Sequence, residues 1–127
     1  MLKLMIVDDS ALIRKRIARD IDRKKFELVA IAQNGEEALS FFHKFRPELI
    51  TMDLTMPMLD GIECIERLIE LDPNIQILVV SALSDQATGM EALEKGANGF
   101  LIKPFSEYEI SNALDIISED FIELAGG

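Results

Sequence analysis

Five short apolar runs alternate along this chain with five stretches of helical periodicity. The runs are rich in Val, Ile and Leu, as are strands that are buried on both faces of a parallel sheet. The stretches between them repeat apolar residues every three or four positions, which is typical of amphipathic helices. The predicted strands are Leu2–Val7, Leu28–Ala32, Leu49–Met52, Ile75–Val80 and Phe100–Ile102.

This alternation predicts an α/β fold with a parallel sheet. Each pair of parallel strands needs a right-handed crossover, which places helices on both faces and gives a three-layer sandwich. For five such units the flavodoxin-like strand order 2-1-3-4-5 is the natural arrangement. A chain of 127 residues with 49% hydrophobic content supplies one core, so we expect residues 1–127 to form a single domain.

The predicted helices differ in how clearly they are marked. The one between Ser84 and Lys95 has the weakest pattern, with an apolar stripe of only Ala87, Met90 and Leu93. Gly89 interrupts it, at a cost of about 1 kcal/mol relative to alanine, so we expect this helix to be the most mobile. Three other helices begin with a capping box, in which two side chains satisfy free backbone N–H groups. These pairs are Asn34 with Glu37, Asp60 with Glu63, and Ser106 with Glu109.

Composition excludes several classes of function. The net charge of −10 argues against nucleic-acid binding, which needs a clustered basic surface, and favours attraction of a divalent cation. A single cysteine, Cys64, excludes an internal disulfide and a cysteine metal cluster. No apolar run approaches the length of a membrane span, and the N-terminus lacks a signal-peptide pattern. We therefore expect a cytoplasmic protein.

Polar residues follow four of the five predicted strands. They are Asp8-Asp9, Asp53, Ser81 and Lys103. In the order 2-1-3-4-5 these four strands lie side by side, and ligands of open α/β sheets bind beyond the carboxyl ends of the strands. The sequence therefore predicts that these side chains converge.

Each of these groups alone has a simpler structural explanation, such as a helix cap or a solvated loop residue. Together they point to a metal, because three crowded carboxylates raise one another's pKa unless a cation is present. An all-oxygen ligand set favours Mg²⁺. The charge of Lys103 and the hydroxyl of Ser81 would suit a phosphoryl group on Asp53, so we predict in-line phosphoryl transfer onto this carboxylate.

The chain resembles receiver domains of two-component response regulators, and in particular stand-alone, CheY-like chemotaxis receivers. The resemblance covers nearly the whole length. It is carried by four motifs in order: Asp8-Asp9, the sequence D-L-T-M-P-M-L-D-G from Asp53 to Gly61, Ser81-Ala82, and G-A-N-G-F-L-I-K-P-F from Gly96 to Phe105.

The resemblance implies a role for most of these residues. Asp53 would be the phosphoacceptor, taking its phosphoryl group from a phosphohistidine on a histidine kinase or phosphotransfer protein. Asp9 and Asp53 would coordinate Mg²⁺ directly, the backbone carbonyl of Thr55 would be a third ligand, and Asp8 would act close by or through water. Thr55 and Leu83 would occupy positions that tune access of the hydrolytic water.

The resemblance also implies a switch. Ser81 and Lys103 would contact phosphoryl oxygens, and the Lys103–Pro104 bond would be cis. The aromatic residue at the switch position, Phe100, would turn inward as the Ser81 hydroxyl moves towards the phosphate. The altered face would comprise the fourth helix, the fifth strand and the fifth helix.

We therefore expect a monomeric signalling protein that is not an enzyme in the ordinary sense, although it would catalyse its own phosphorylation and dephosphorylation. Its output would be binding to a protein target such as the flagellar motor, and a phosphatase would be a further partner. We expect it to bind neither nucleic acid nor a membrane. The alternatives are a phosphorelay intermediate or phosphate sink, and an excised receiver of a larger regulator. A flavin protein or a dehalogenase-type phosphatase is disfavoured, because each needs a different motif after the first strand.

Two methionines, Met56 and Met58, flank Pro57 in the loop after Asp53. Packing within the loop is the simpler interpretation, and a position on the rim that faces a kinase is the alternative.

Overall fold

The computed structural model describes residues 1–82 and 86–126. All five strands are parallel and lie in the order β2-β1-β3-β4-β5, which confirms the predicted flavodoxin-like topology. The strands are β1 (Leu2–Val7), β2 (Phe26–Ala32), β3 (Leu49–Met52), β4 (Gln76–Ser81) and β5 (Gly99–Ile102). The helices are α1 (Ala11–Asp20), α2 (Gly35–Phe45), α3 (Gly61–Leu71), α4 (Gln86–Glu94) and α5 (Glu107–Gly126).

Two apolar layers sandwich the sheet, because successive side chains of a strand point to opposite faces. On β1, Met5 and Val7 pack into the layer that includes residues of α2, α3 and α4. Leu4 and Ile6 pack into the layer that includes residues of α1 and α5. The central strands β3 and β4 are buried along their whole length, including the polar residues Thr51 and Gln76, which explains why most of their positions are apolar.

One of the three predicted capping boxes has both of its hydrogen bonds, and within the described residues the other two have only the bond to the cap side chain. Before α5, Ser106 Oγ accepts a hydrogen bond from the Glu109 N–H at 3.1 Å, and Glu109 Oε1 accepts one from the Ser106 N–H at 3.0 Å. This box is therefore complete. The cap side chain also accepts the expected N–H before α2, from Glu37 to Asn34 at 2.8 Å, and before α3, from Glu63 to Asp60 at 2.9 Å.

Helix α4 departs from the sequence prediction. It begins at Gln86, and positions 83–85, which include the predicted start, lie outside the described residues. The predicted apolar stripe is wrong, since Met90 and Leu93 are about half exposed and the buried residue of the helix is Ala92. The small residue Gly89 is three positions before Ala92, on the same face, and lies against the ring of Phe100. Small residues on this face let the helix lie close to β5.

Helix α5 spans 20 residues and carries acidic groups along its length. Within residues 1–82 and 86–126, none of the helices combines the length and the apolar character that a membrane crossing requires.

Candidate functional site

Four neighbouring strands end at one edge of the sheet. Val7 pairs with Met52 in the sheet register, and the Asp53 N–H donates to the Val7 carbonyl at 2.9 Å. At the other side of the sheet, the Lys103 N–H donates to the Ser81 carbonyl at 2.9 Å. Backbone pairing therefore brings the residues that follow these strands to a common edge, as the topology predicts.

Three carboxylates converge at this edge. Asp8, Asp9 and Asp53 each offer an oxygen, and these oxygens lie within 4.8 Å of one another. Asp8 and Asp53 are 1% and 2% exposed, whereas Asp9 is exposed. The predicted clustering is confirmed, and two of the three acids are withdrawn from solvent.

Lys103 supplies a positive charge next to two of the carboxylates. Its Nζ lies 2.8 Å from Asp8 Oδ2 and 3.8 Å from Asp53 Oδ1, so the ammonium is closer to Asp8 than to Asp53. Its side chain is only 15% exposed, and an ion pair in such surroundings is screened much less than one at the surface. One lysine therefore partly compensates two buried carboxylates.

The pKa of Asp53 is raised to about 6, first by burial of the carboxyl and second by the negative charge of Asp8. The Lys103 ammonium and the Thr55 N–H act in the opposite direction, because both favour the ionised carboxylate. The contact to the Thr55 N–H is 3.3 Å, and the Thr55 hydroxyl lies 3.4 Å from the same oxygen. A further positive charge at this edge would favour the ionised form of Asp53.

The donor set fits a hard divalent cation. Asp8 Oδ2 is buried, and the Lys103 ammonium at 2.8 Å is the one partner that the described residues offer this oxygen. A buried carboxylate oxygen with spare acceptor capacity, next to two further carboxylates, could bind Mg²⁺, which prefers oxygen ligands. That the Thr55 carbonyl also binds the metal stays a prediction.

The predicted switch residues occupy the neighbouring strands. Ser81 is fully buried at the end of β4, and Phe100 is partly buried on β5 against the layer that contains α4. The Lys103–Pro104 peptide bond is cis, as the resemblance implies. Leu83 lies outside the described residues.

The family model of the response regulator receiver domain matches residues 4–115. The chain belongs to this family. CheY of Thermotoga maritima, a chemotaxis protein, is 37% identical over 117 residues, which cover 92% of this chain and 98% of that protein.

Solved receiver domains have the same fold. The response regulator domain of Thermotoga maritima CheB superposes with a TM-score of 0.85 at 30% identity, covering 95% of this chain and 96% of that one. A chain of the Borrelia burgdorferi CheX–CheY–BeF3–Mg²⁺ complex superposes with a TM-score of 0.84 at 29% identity, covering 92% of this chain and 87% of that one. The protein is thus a phosphorylation-regulated component of two-component signalling, which is a signalling protein and not a classical enzyme.

Sequence reasoning missed two groups that hold Asp8 of this receiver domain in place. Arg14 Nη1 donates to the Asp8 carbonyl at 2.8 Å, and the Ser10 N–H donates to Asp8 Oδ1 at 2.9 Å. Arg14 lies one turn into α1, and this position close to the end of β1 was the available signal. The Ser10 contact is a local turn in which the Asp8 side chain accepts the N–H two residues further along the chain, as aspartate commonly does in turns.

Proposed function

We propose that this receiver domain takes a phosphoryl group from a phosphohistidine of a histidine kinase or phosphotransfer protein onto Asp53, in the presence of Mg²⁺. Phosphorylation would then change its affinity for a protein target. The observation that supports this most directly is the buried Asp53 carboxylate, which lies beside Asp8, Asp9 and Lys103 at one edge of the sheet. This edge of the sheet therefore combines a nucleophile, oxygen ligands for a metal, and a cation that can neutralise the charge of the incoming phosphoryl group.

In the proposed reaction an Asp53 oxygen attacks the phosphorus, a P–O bond forms, and the P–N bond to the donor imidazole breaks. Asp9 and Asp53, with the Thr55 carbonyl, would hold Mg²⁺, and Asp8 would act close by or through water. When bound, the metal would neutralise charge on the transferring phosphoryl oxygens. Hydrolysis of the aspartyl phosphate by water would return the domain to its starting state.

Lys103 would contact a phosphoryl oxygen, and the nearby Asp53 Oδ1 lies within 3.8 Å of its ammonium. The short contact to Asp8 would loosen when a dianionic phosphoryl group arrives, because the ammonium would then have a more highly charged partner. The Ser81 hydroxyl would bind a second phosphoryl oxygen.

Movement of Ser81 would let Phe100 turn inward and alter the face formed by α4, β5 and α5. The exposed apolar side chains of Met90, Leu93 and Tyr108 on these two helices support a role in protein binding, since exposed apolar groups favour protein contacts.

Chemotaxis is the setting we propose, because CheY of Thermotoga maritima is a chemotaxis protein and matches the chain over almost its full length. The target would be a protein such as a flagellar motor component. A CheX-like protein is a further partner, by analogy with the Borrelia burgdorferi complex. We propose that the chain acts in the cytoplasm as a monomeric single domain.

Backbone NMR spectra test this proposal. Adding Mg²⁺ and then acetyl phosphate to ¹⁵N-labelled protein should shift resonances first at Asp8, Asp9 and Asp53, and then throughout α4, β5 and α5. A Ser81→Thr variant keeps the hydroxyl and should reproduce the second set of shifts. A Ser81→Ala variant should be phosphorylated without them. Shifts that stay confined to the acidic edge in the wild type would contradict the switch.

A further inference from the structure

Both ends of the loop between β3 and α3 are held next to Asp53 by backbone contacts. The Gly61 N–H donates to the Leu54 carbonyl at 3.2 Å, which closes the loop on itself. Gly61 lies so close to the strand end that a Cβ there would overlap the Asp53 carbonyl oxygen. The residues between these two points therefore have little freedom to move away from the phosphoacceptor.

Within this loop the two methionines have different surroundings. Met56 is 9% exposed and packs into the core, which confirms the loop-packing interpretation for that residue. Leu59 is also buried, and its backbone and side chain lie close to Gly35. Met58 lies between these two anchored residues and is 71% exposed. The loop thus exposes Met58 and the neighbouring Pro57 at its tip, and Met58 is the larger apolar side chain of the two.

The backbone of Met58 is also unusual. Its φ is +70°, in the left-handed region that a Cβ disfavours and that glycine or asparagine adopts more easily. In the described parts of the chain, the other non-glycine residue with positive φ is Arg46. Arg46 is the C-cap of α2, and its guanidinium packs over the Phe42 ring. Among residues 1–82 and 86–126, no comparable helix cap or ring contact accounts for the Met58 conformation, and strained residues tend to lie at functional sites.

Met58 lies close enough to Asp53 for a protein that binds over Asp53 to cover it. Because Asp53 is 2% exposed, a protein donor must press closely onto this edge to bring its phosphohistidine within bonding distance. Gly61 lies against the Asp53 carbonyl oxygen, and Met58 is three positions from Gly61, so the Cα atoms of Met58 and Gly61 are at most about 10 Å apart, at up to about 3.4 Å per residue. An ordinary protein interface covers about 800 Å² per partner, equivalent to a disc about 16 Å in radius. The closed loop brings Met58 within that disc.

We infer that Met58 is a contact residue for the phosphodonor protein and that its side chain enters an apolar depression on that protein. The inference rests on the proposed function of Asp53. The unbranched thioether of methionine adapts to irregular apolar surfaces, which suits a transient complex. A small donor such as acetyl phosphate does not touch the loop tip, so Met58 affects the choice of donor and not the chemistry at Asp53.

The test compares a protein donor with a small one. The protein donor is the ³²P-charged phosphotransfer domain of a chemotaxis histidine kinase that phosphorylates the wild-type chain. Met58→Asn removes the apolar group and tolerates the left-handed φ, whereas Met58→Leu keeps an apolar group. Ile122→Asn is the matched control, because Ile122 is exposed near Met1 and Leu2, at the opposite end of the sheet from Asp53.

We expect Met58→Asn to lower kcat/KM for transfer from the phosphotransfer domain by about tenfold, which corresponds to about 1.4 kcal/mol of lost contact, mainly through KM. Met58→Leu and Ile122→Asn should stay near the wild-type value. Labelling by acetyl phosphate should be the same for all four proteins. The melting temperature of Met58→Asn should equal or exceed that of the wild type, since asparagine relieves the backbone strain.

Equal transfer from the phosphotransfer domain to Met58→Asn and the wild type would overturn the inference. So would an equal loss with both donors, because that would place the effect at Asp53 itself. If the wild type took no phosphoryl group from acetyl phosphate, the proposed function would fail, and the role of Met58 with it.

Discussion

A Gly61→Ala variant is expected to have a free energy of unfolding about 3 kcal/mol below that of the wild type, because the added methyl group has no space. Its Cβ would overlap the Asp53 carbonyl oxygen and lie 2.6 Å from the Leu54 Cα. Both are backbone atoms, so relief requires a shift of the strand end that carries the phosphoacceptor. Urea unfolding followed by far-ultraviolet circular dichroism measures the change.

Gly89→Ala is the matched control. A Cβ at Gly89 would lie 3.7 Å from the Phe100 ring, which is ordinary contact, and alanine favours the helix by up to about 1 kcal/mol. This variant should therefore be as stable as the wild type or slightly more so. If Gly61→Ala were equally stable, α3 would not approach β3 as closely as the structure shows.

The second large effect is a gain of stability on removing the charge of Asp53. Burial and the neighbouring Asp8 raise the pKa of Asp53 to about 6, whereas an aspartate in the unfolded chain titrates near 3.9. The folded state therefore holds this proton more tightly. The contribution of this protonation to the stability of the folded state is fully present below about pH 4 and is lost as the pH rises through about 6.

An Asp53→Asn variant avoids that loss, because the asparagine amide does not titrate. Without metal, we expect it to match the wild type near pH 4 and to exceed it by about 1–3 kcal/mol at pH 7, the order of magnitude that a two-unit pKa difference implies. Denaturant unfolding at both pH values, in EDTA, measures the difference.

Neutralising an exposed acid is the control for this series. Glu91 is exposed on α4, and Glu91→Gln should change stability by no more than about 0.5 kcal/mol at either pH. The account would be contradicted if the stability difference between Asp53→Asn and the wild type did not grow between pH 4 and pH 7. The pKa of Asp53 would then not be raised in the folded protein.

Much of the fold was predictable because buried parallel strands have a simple signature. β3 and β4 are buried on both faces, and their short, mainly apolar runs mark them clearly, although Thr51 and Gln76 are polar. The convergence of Asp8, Asp53, Ser81 and Lys103 follows from strand order alone, since it needs only the knowledge of which strands are neighbours. These features depend on periodicity and topology, which the sequence carries locally.

Features that depend on small differences in interatomic distance could not be predicted from periodicity and topology. The buried face of α4 is set by how closely Ala92 can approach the sheet, and the apolar residues Met90 and Leu93 pointed to the wrong face. The preference of Lys103 for Asp8 over Asp53 is a difference of 1.0 Å between two contacts, 2.8 and 3.8 Å. The left-handed backbone of Met58 could not be predicted from its residue type, because a Cβ disfavours this conformation.

The most direct test of the central claim is the intact mass of the protein after incubation with acetyl phosphate, with and without Mg²⁺. We predict the addition of one phosphoryl group to the wild type, only when Mg²⁺ is present, and no addition to Asp53→Asn. The absence of an adduct on folded, rapidly quenched wild-type protein, or an adduct on Asp53→Asn, would contradict the assignment of Asp53 as the phosphoacceptor.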